Sequence, residues 1–139
     1  MKNINEYMQK IRLENSAITK RIIEVAEQVK NVCSEDIEDI FISEYKQEDN
    51  TRVFESIWFF TKSYIIEAKN FRLELNLDLV RFQEEYYQII YSDYDFANAT
   101  DKSRMTLKIQ FGSGIYGLFK ATEFNCDVLK DIFNKYVKK

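Results

Sequence analysis

The chain of 139 residues contains no histidine and no proline, and it has only three glycines and two cysteines. Histidine is the usual general base near neutral pH and the commonest protein ligand of metals, so its absence excludes histidine-based catalysis and histidine metal sites. The two cysteines, Cys33 and Cys126, are too few for a disulfide framework. These shortages predict reduced thiols and a non-enzymatic protein with no catalytic residues, no metal and no cofactor.

Charged residues are frequent, but outside the terminal pair Lys138-Lys139 they form no dense basic block. The 20 basic and 23 acidic residues give a net charge of −3. Nucleic-acid binding needs a cationic stripe that displaces counterions from phosphates. No run approaches the ~18 apolar residues of a membrane span, and charged residues interrupt the first twelve positions. We therefore expect a cytoplasmic protein that neither binds nucleic acid nor inserts into a membrane.

The N-terminal segment has helical periodicity. Between residues 4 and 32, apolar residues recur at alternating steps of four and three, which predicts one long amphipathic helix within residues 1–36. Two interpretations are open. In the first, near-heptad spacing with one polar position indicates a coiled-coil homodimer, whose candidate oligomer seam is Ile11, Asn15, Ile18 and Ile22. In the second, the helix breaks near residues 15 and 16 and folds back over the protein's own sheet.

Beyond residue 36 the apolar period changes to two, which predicts strands. Residues 71–79 and 104–111 alternate most regularly, and residues 37–121 are expected to hold six or seven antiparallel strands. Residues 123–137 return to helical spacing, with Thr122 or Asn125 as a candidate cap. The predicted core comprises Phe71, Leu73, Leu75, Met105, Leu107, Ile109, Val128 and Ile132.

Two patterns resemble ligand motifs, but their contexts favour other interpretations. Residues 112–117 match G-x-G-x-x-G, a pattern that binds dinucleotides only where a helix begins at the third glycine. Residues 115–121 instead alternate as a strand, so we predict a hairpin turn. Residues 92–98 resemble the start of a calcium loop but lack its glycine and its final glutamate.

Aromatic residues lie on both sides of the polar segment 92–103. One interpretation is a recognition patch on the surface, and the other is packing beneath that segment. The candidate partner-binding residues are Tyr91, Tyr94 and Phe96.

The order of elements and two stretches resemble pleckstrin-homology-like domains, particularly bacterial members. The stretches are residues 57–67 (IWFFTKSYIIE) and residues 107–111 (LKIQF), which continue through Ala121 into residues 125–129 (NCDVL). The resemblance covers residues 37–139 and follows a separate N-terminal helix at 1–36. It implies an α+β fold, in which one antiparallel sheet or partial barrel of six or seven strands is closed by the C-terminal helix.

The same resemblance implies a protein-interaction module whose partner, a peptide or a helix, lies along a strand edge beside the last helix. An alternative function comes from small acidic secretion chaperones, which are dimers of similar size and element order. These chaperones normally have a helix in mid-chain, where residues 71–79 of this sequence alternate as a strand.

Overall fold

The computed structural model describes residues 4–13, 16–49, 51–69, 71, 78–83, 86–92, 104–111 and 116–137. This part of the chain is α+β, with helices before and after antiparallel strands. Its helices are α1 (Ile4–Lys10), α2 (Ser16–Val32) and α3 (Asn125–Ile132), and α3 continues into a π-helical turn (Phe133–Val137). Its strands are β1 (Asp39–Lys46), β2 (Arg52–Phe60), β3 (Tyr64–Lys69), β4 (Asp78–Gln83), β5 (Tyr86–Ser92), β6 (Arg104–Phe111) and β7 (Tyr116–Thr122). None of the described helices is both long and apolar enough to cross a membrane.

The N-terminal segment forms two helices, so the prediction of one long helix is wrong. The first helix ends at Lys10, and Arg12 has a left-handed φ of 54° that interrupts the helical path. The second helix begins at Ser16, as the alternative of a break near residues 15 and 16 predicts. Steps of three and four place apolar residues on one face of any helix, so this spacing does not distinguish one helix from two.

The strands form two sheets, so the prediction of one six- or seven-stranded sheet or barrel of pleckstrin-homology-like type is also wrong. One sheet has the order β1-β2-β3-β4 and the other has the order β5-β6-β7, and every paired strand is antiparallel. Alternation in a sequence shows which side chains face a core. It does not show where the ladder of backbone hydrogen bonds stops, and here the described strands β4 and β5 belong to different sheets.

Both sheets contribute to one hydrophobic core. The ring of Phe119 on β7 has its centroid 4.3 Å from that of Trp58, 6.1 Å from that of Phe41 and 6.5 Å from that of Phe60. Phe60 in turn stacks on Tyr136 at 4.7 Å. The N-terminal helices add further buried side chains to this core, namely Tyr7, Met8, Ile11, Ile22, Val25 and Val29.

The predicted core is confirmed wherever the structure describes it. Six of the eight predicted side chains are between 0% and 5% exposed, namely Phe71, Met105, Leu107, Ile109, Val128 and Ile132. The other two, Leu73 and Leu75, lie outside the described residues, as does most of the predicted strand at 71–79. The strand predicted after the glycine pattern is also present, because β7 pairs with β6 along its length.

Candidate functional site

Strand β1 is an end strand of the four-stranded sheet, with β2 as its only ladder partner among the described strands. In an antiparallel pair, successive residues direct their backbone N–H and C=O alternately toward the partner and away from it. The outward groups of an edge strand can pair with another chain unless something covers them. The surroundings of β1 therefore decide whether this edge is available.

A ring of three buried hydrogen bonds covers the edge at Ile42. The N–H of Ile42 donates to the hydroxyl of Tyr7 at 2.7 Å, and that hydroxyl donates to Oδ1 of Asn125 at 2.9 Å. The Nδ2 of Asn125 completes the ring by donating to the C=O of Ile42 at 2.8 Å. Burial raises the pKa of Tyr7 well above its usual range, so the hydroxyl keeps the proton that it donates.

The next residues of β1, Ser43 and Glu44, bond neighbouring strands through their own side chains. The hydroxyl of Ser43 accepts from the N–H of Lys120 at 2.9 Å and donates to the C=O of Leu118 at 3.4 Å, which joins β1 to β7. The carboxylate of Glu44 accepts from the hydroxyl of Thr122 and from the guanidinium of Arg52. Burial raises the pKa of Glu44 despite these two hydrogen bonds.

Lys46 ends this series with an ion pair to Glu123. The hydrogen bond from Lys46 lowers the pKa of Glu123, which is largely exposed. Residues 42–46 thus bond α1, β7, Glu123 and α3, through the backbone of Ile42 and through the side chains of Ser43, Glu44 and Lys46, and we name them the closed stretch.

The edge differs two residues earlier. Backbone groups alternate in direction along a strand, so residues two positions apart direct theirs to the same side. The N–H and C=O of Ile40 therefore lie on the same side of β1 as those of Ile42. No described residue hydrogen-bonds these two groups. Ile40 is only 2% exposed, and it lines a cleft of about 310 Å³. We name Ile40 the open position.

The cleft lies between the start of β1 and helix α3. Its lining residues are Glu38, Asp39 and Ile40 on one side and Val128, Asp131, Ile132 and Lys135 on the other. Ile40, Val128 and Ile132 provide apolar walls, and the charged side chains surround them. The cleft can therefore accommodate an apolar group next to an unpaired piece of strand backbone.

Three of the four charged side chains around the cleft, those of Asp39, Asp131 and Lys135, already have partners. The carboxylate of Asp39 accepts from Nζ of Lys135 at 2.7 Å and from the hydroxyl of Tyr136 at 2.5 Å. Asp131 lies 3.7 Å from Nζ of Lys10 on α1. Within the described residues, no group of three or more His, Cys, Asp or Glu side chains is arranged to hold a metal ion.

The aromatic residues predicted to bind a partner are not at this cleft. Tyr91 is in β5, where it is the register partner of Lys108 in β6. Tyr94 and Phe96 lie outside the described residues. Whether these three residues form a recognition patch stays a prediction.

The predicted oligomer seam lies mainly within the core of a single chain. Ile11 is 2% exposed and Ile22 is 0% exposed, and the half-buried Ile18 packs against the same core. Asn15 is outside the described residues. These apolar side chains are covered without a second copy, and a homodimer through the N-terminal segment stays a prediction.

Reasoning from the sequence missed the residues that close the edge. Thr122 and Asn125 were candidate helix caps, but Thr122 bonds Glu44 and Asn125 bonds Ile42. Tyr7 fits the apolar face of α1, and nothing near it in the sequence indicates a role for its hydroxyl. A polar Asn125 at the start of a buried helical face is the one local signal that could have suggested a buried hydrogen bond.

No protein-family model, curated protein or solved structure matches this chain.

Proposed function

We propose that the protein is a non-enzymatic interaction module of the cytoplasm that binds an extended segment of a partner protein beside α3. The segment pairs with the open position of β1 and inserts one large apolar side chain into the cleft. The observation that carries this proposal is the contrast along one strand edge. The backbone of Ile42 is bonded by Tyr7 and Asn125, whereas Ile40, two residues earlier on the same edge, lines a cleft.

Addition of a strand to a sheet edge is an established mode of peptide recognition. Backbone hydrogen bonds supply affinity, and pockets for individual side chains supply specificity. A partner residue opposite Ile40 can exchange two backbone hydrogen bonds with it. The cleft volume of about 310 Å³ is near the lower end of ligand pockets, which suits one inserted side chain.

The walls of the cleft favour an apolar side chain. Ile40, Val128 and Ile132 line the cleft and are each at most 5% exposed, so the apolar area that they present is small. Burying that area against a partner side chain removes apolar surface from water, which stabilises the complex. Asp39 is already paired with Lys135, so the cleft does not require a charged ligand.

A random library of displayed peptides, selected on the full chain, tests this proposal. Selected peptides should bind the wild type and lose affinity by at least about tenfold when Val128→Trp fills the cleft. Because Val128 is buried, Asp131→Trp at the exposed rim is a second variant that can block the cleft without disturbing the core. Ile23→Trp, on the exposed face of α2, is the matched control and should leave binding unchanged.

Two results would contradict the proposal. One is a selection that enriches no peptide on the wild type. The other is a set of enriched peptides that bind Val128→Trp and Asp131→Trp as tightly as they bind the wild type. Circular dichroism of each variant confirms that a loss of binding is not a loss of fold.

A further inference from the structure

A second surface lies on the outer face of the sheets. It extends from β1 across its neighbour β7 to β6, the ladder partner of β7. We name it the Tyr–Lys face, and it consists of Tyr45, Lys108, Tyr116, Leu118 and Lys120. Three of its side chains are among the most exposed large apolar groups of the described chain. Tyr45 is 36% exposed, Leu118 is 39% exposed and Tyr116 is 49% exposed.

Strand geometry holds these residues on one face. Along β7, the exposed residues Tyr116 and Leu118 alternate with the buried residues Gly117 and Phe119. Lys108 of β6 is the register partner of Leu118, so the two residues are direct cross-strand neighbours. The hydroxyl of Ser43 ties β7 to β1 through the backbone of Leu118 and Lys120, which brings Tyr45 to the same region.

The lysine ammonium groups are positioned over the aromatic rings. Nζ of Lys108 lies 4.4 Å from the ring centroid of Tyr116, and Nζ of Lys120 lies 5.0 Å from that of Tyr45. Both distances are within the range of cation–π attraction. Lysine otherwise loses much rotamer freedom on binding, so ammonium groups that are already held near the surface lower this cost.

We propose that the Tyr–Lys face docks an acidic amphipathic segment of a partner protein, with carboxylates at the lysines and apolar side chains against Leu118 and Tyr116. Charge complementarity supports this partner. The whole chain has a net charge of −3, whereas the five residues of the Tyr–Lys face include two lysines and no acidic residue. Glu55, which lies outside the face, is 3.3 Å from Nζ of Lys120 and offsets one of these two positive charges.

The face also has the composition of a protein interface. Tyrosine is enriched in such interfaces because its ring buries a large area and its hydroxyl stays hydrogen-bonded.

An acidic protein segment fits this face better than a single-stranded nucleic acid, which is the other anionic polymer to consider. Nucleic-acid platforms stack bases on exposed aromatic faces and follow the backbone with a cationic groove. Here a lysine ammonium already lies over each of the two tyrosine rings.

Fluorescence anisotropy with three labelled probes on the full chain tests the proposal. The probes are a peptide of alternating glutamate and leucine, the same peptide with lysine in place of glutamate, and oligothymidine of similar length. The acidic peptide should bind at least about tenfold more tightly than either other probe, and added salt should weaken its binding.

Variants locate the binding surface. Lys108→Glu and Tyr116→Ser should each weaken binding of the acidic peptide by at least about fivefold, because they reverse a charge and remove an exposed ring. Ile23→Ser is the matched control, since Ile23 on α2 is 39% exposed and lies outside the face. Val128→Trp should also leave this affinity unchanged, which separates the Tyr–Lys face from the cleft.

The proposal is overturned if the acidic peptide does not bind, or if the lysine peptide or oligothymidine binds as tightly. Unchanged affinity in both Lys108→Glu and Tyr116→Ser would overturn it too. Thermal melts of the two variants, whose altered side chains are on the surface, show whether the fold is retained.

Discussion

Two positions on the same edge of β1, only two residues apart, have opposite surroundings. At Ile42, side chains bond the outward N–H and C=O, and they come from residues 35 and 83 positions away in the sequence. Ile40, whose equivalent groups are on the same side of β1, lines a cleft beside α3. The comparison separates the part of the edge that holds the fold together from the part that is available to another chain.

The difference has an energetic meaning. A buried polar network is favourable when every member is bonded and costly when one member is lost. The closed stretch meets this condition at Ile42, where Tyr7 and Asn125 each donate to and accept from other members of the ring. Mutations of these partners should therefore affect stability, while mutations around the open position should affect binding.

The largest expected effect is that of Asn125→Ala. It removes the donor to the C=O of Ile42 and the acceptor for the hydroxyl of Tyr7, both of which are buried. Unsatisfied buried groups and a small cavity together should lower the free energy of unfolding by about 3 kcal/mol. Urea denaturation measures this loss, and the exposed Asn134→Ala should change stability by less than about 0.5 kcal/mol. Equal stabilities for the two variants would show that the ring is not important.

Tyr7→Phe should have a smaller effect, because it deletes the hydroxyl and keeps the buried aromatic ring. The N–H of Ile42 and Oδ1 of Asn125 lose a partner, which should cost about 2 kcal/mol in the free energy of unfolding. The same substitution at an exposed position, Tyr116→Phe, is the control and should be nearly neutral. If both substitutions are neutral in urea denaturation, the hydroxyl of Tyr7 does not seal the edge.

The carboxylates of Glu44, in the closed stretch, and of Glu123, the ion-pair partner of Lys46, should change the free energy of unfolding in opposite directions as the pH falls. Burial raises the pKa of Glu44 above 4.5, so the folded state holds its proton more tightly than the unfolded state does. The stability of the wild type relative to Glu44→Gln should therefore increase as the pH falls from neutral toward 4.5. The hydrogen bond from Lys46 lowers the pKa of Glu123, so the stability relative to Glu123→Gln should decrease as the pH falls through and below 4.5. Urea titrations across this range measure both slopes, and slopes of the same sign would contradict these environments.

The smallest expected effect is that of Lys10→Ala, which removes an ion pair with Asp131 of the cleft. Lys10 and Asp131 are 3.7 Å apart, and their side chains are 47% and 65% exposed. Exposed ion pairs of this kind contribute little, so the free energy of unfolding should change by less than about 0.5 kcal/mol. A loss as large as that of Tyr7→Phe would mean that α1 is held at the edge by charge rather than by the buried ring.

The sequence predicted local features of the fold well and pairing between distant elements poorly. Alternation along β6 correctly predicted that Met105, Leu107 and Ile109 face the core, because the period of two is a local property of a strand. Apolar spacing left both one continuous helix and two helices open, since it continues across Arg12, where the helical path is interrupted. The division into two sheets was missed for a similar reason, because side-chain alternation does not report which edges pair.

The candidate site was harder to predict than the core. Tyr7 and Asn125 are 118 positions apart, and their hydrogen bond has no counterpart in local sequence pattern. The open position, Ile40, lacks the hydrogen bonds that the Ile42 backbone makes with Tyr7 and Asn125. This difference depends on where α1 and α3 lie along the edge of β1. The general expectation of a binding edge beside the last helix came from a family resemblance, and it stays a proposal.

Hydrogen exchange of the Ile40 and Ile42 backbone amides, measured by NMR on the free protein, tests the central claim most directly. We predict that the Ile42 amide, which donates to Tyr7, exchanges slowly, and that the Ile40 amide exchanges much faster through the cleft. Addition of a selected peptide should then slow exchange at Ile40 and leave Ile42 unchanged. Equal protection of the two amides in the free protein would contradict the distinction between the closed stretch and the open position.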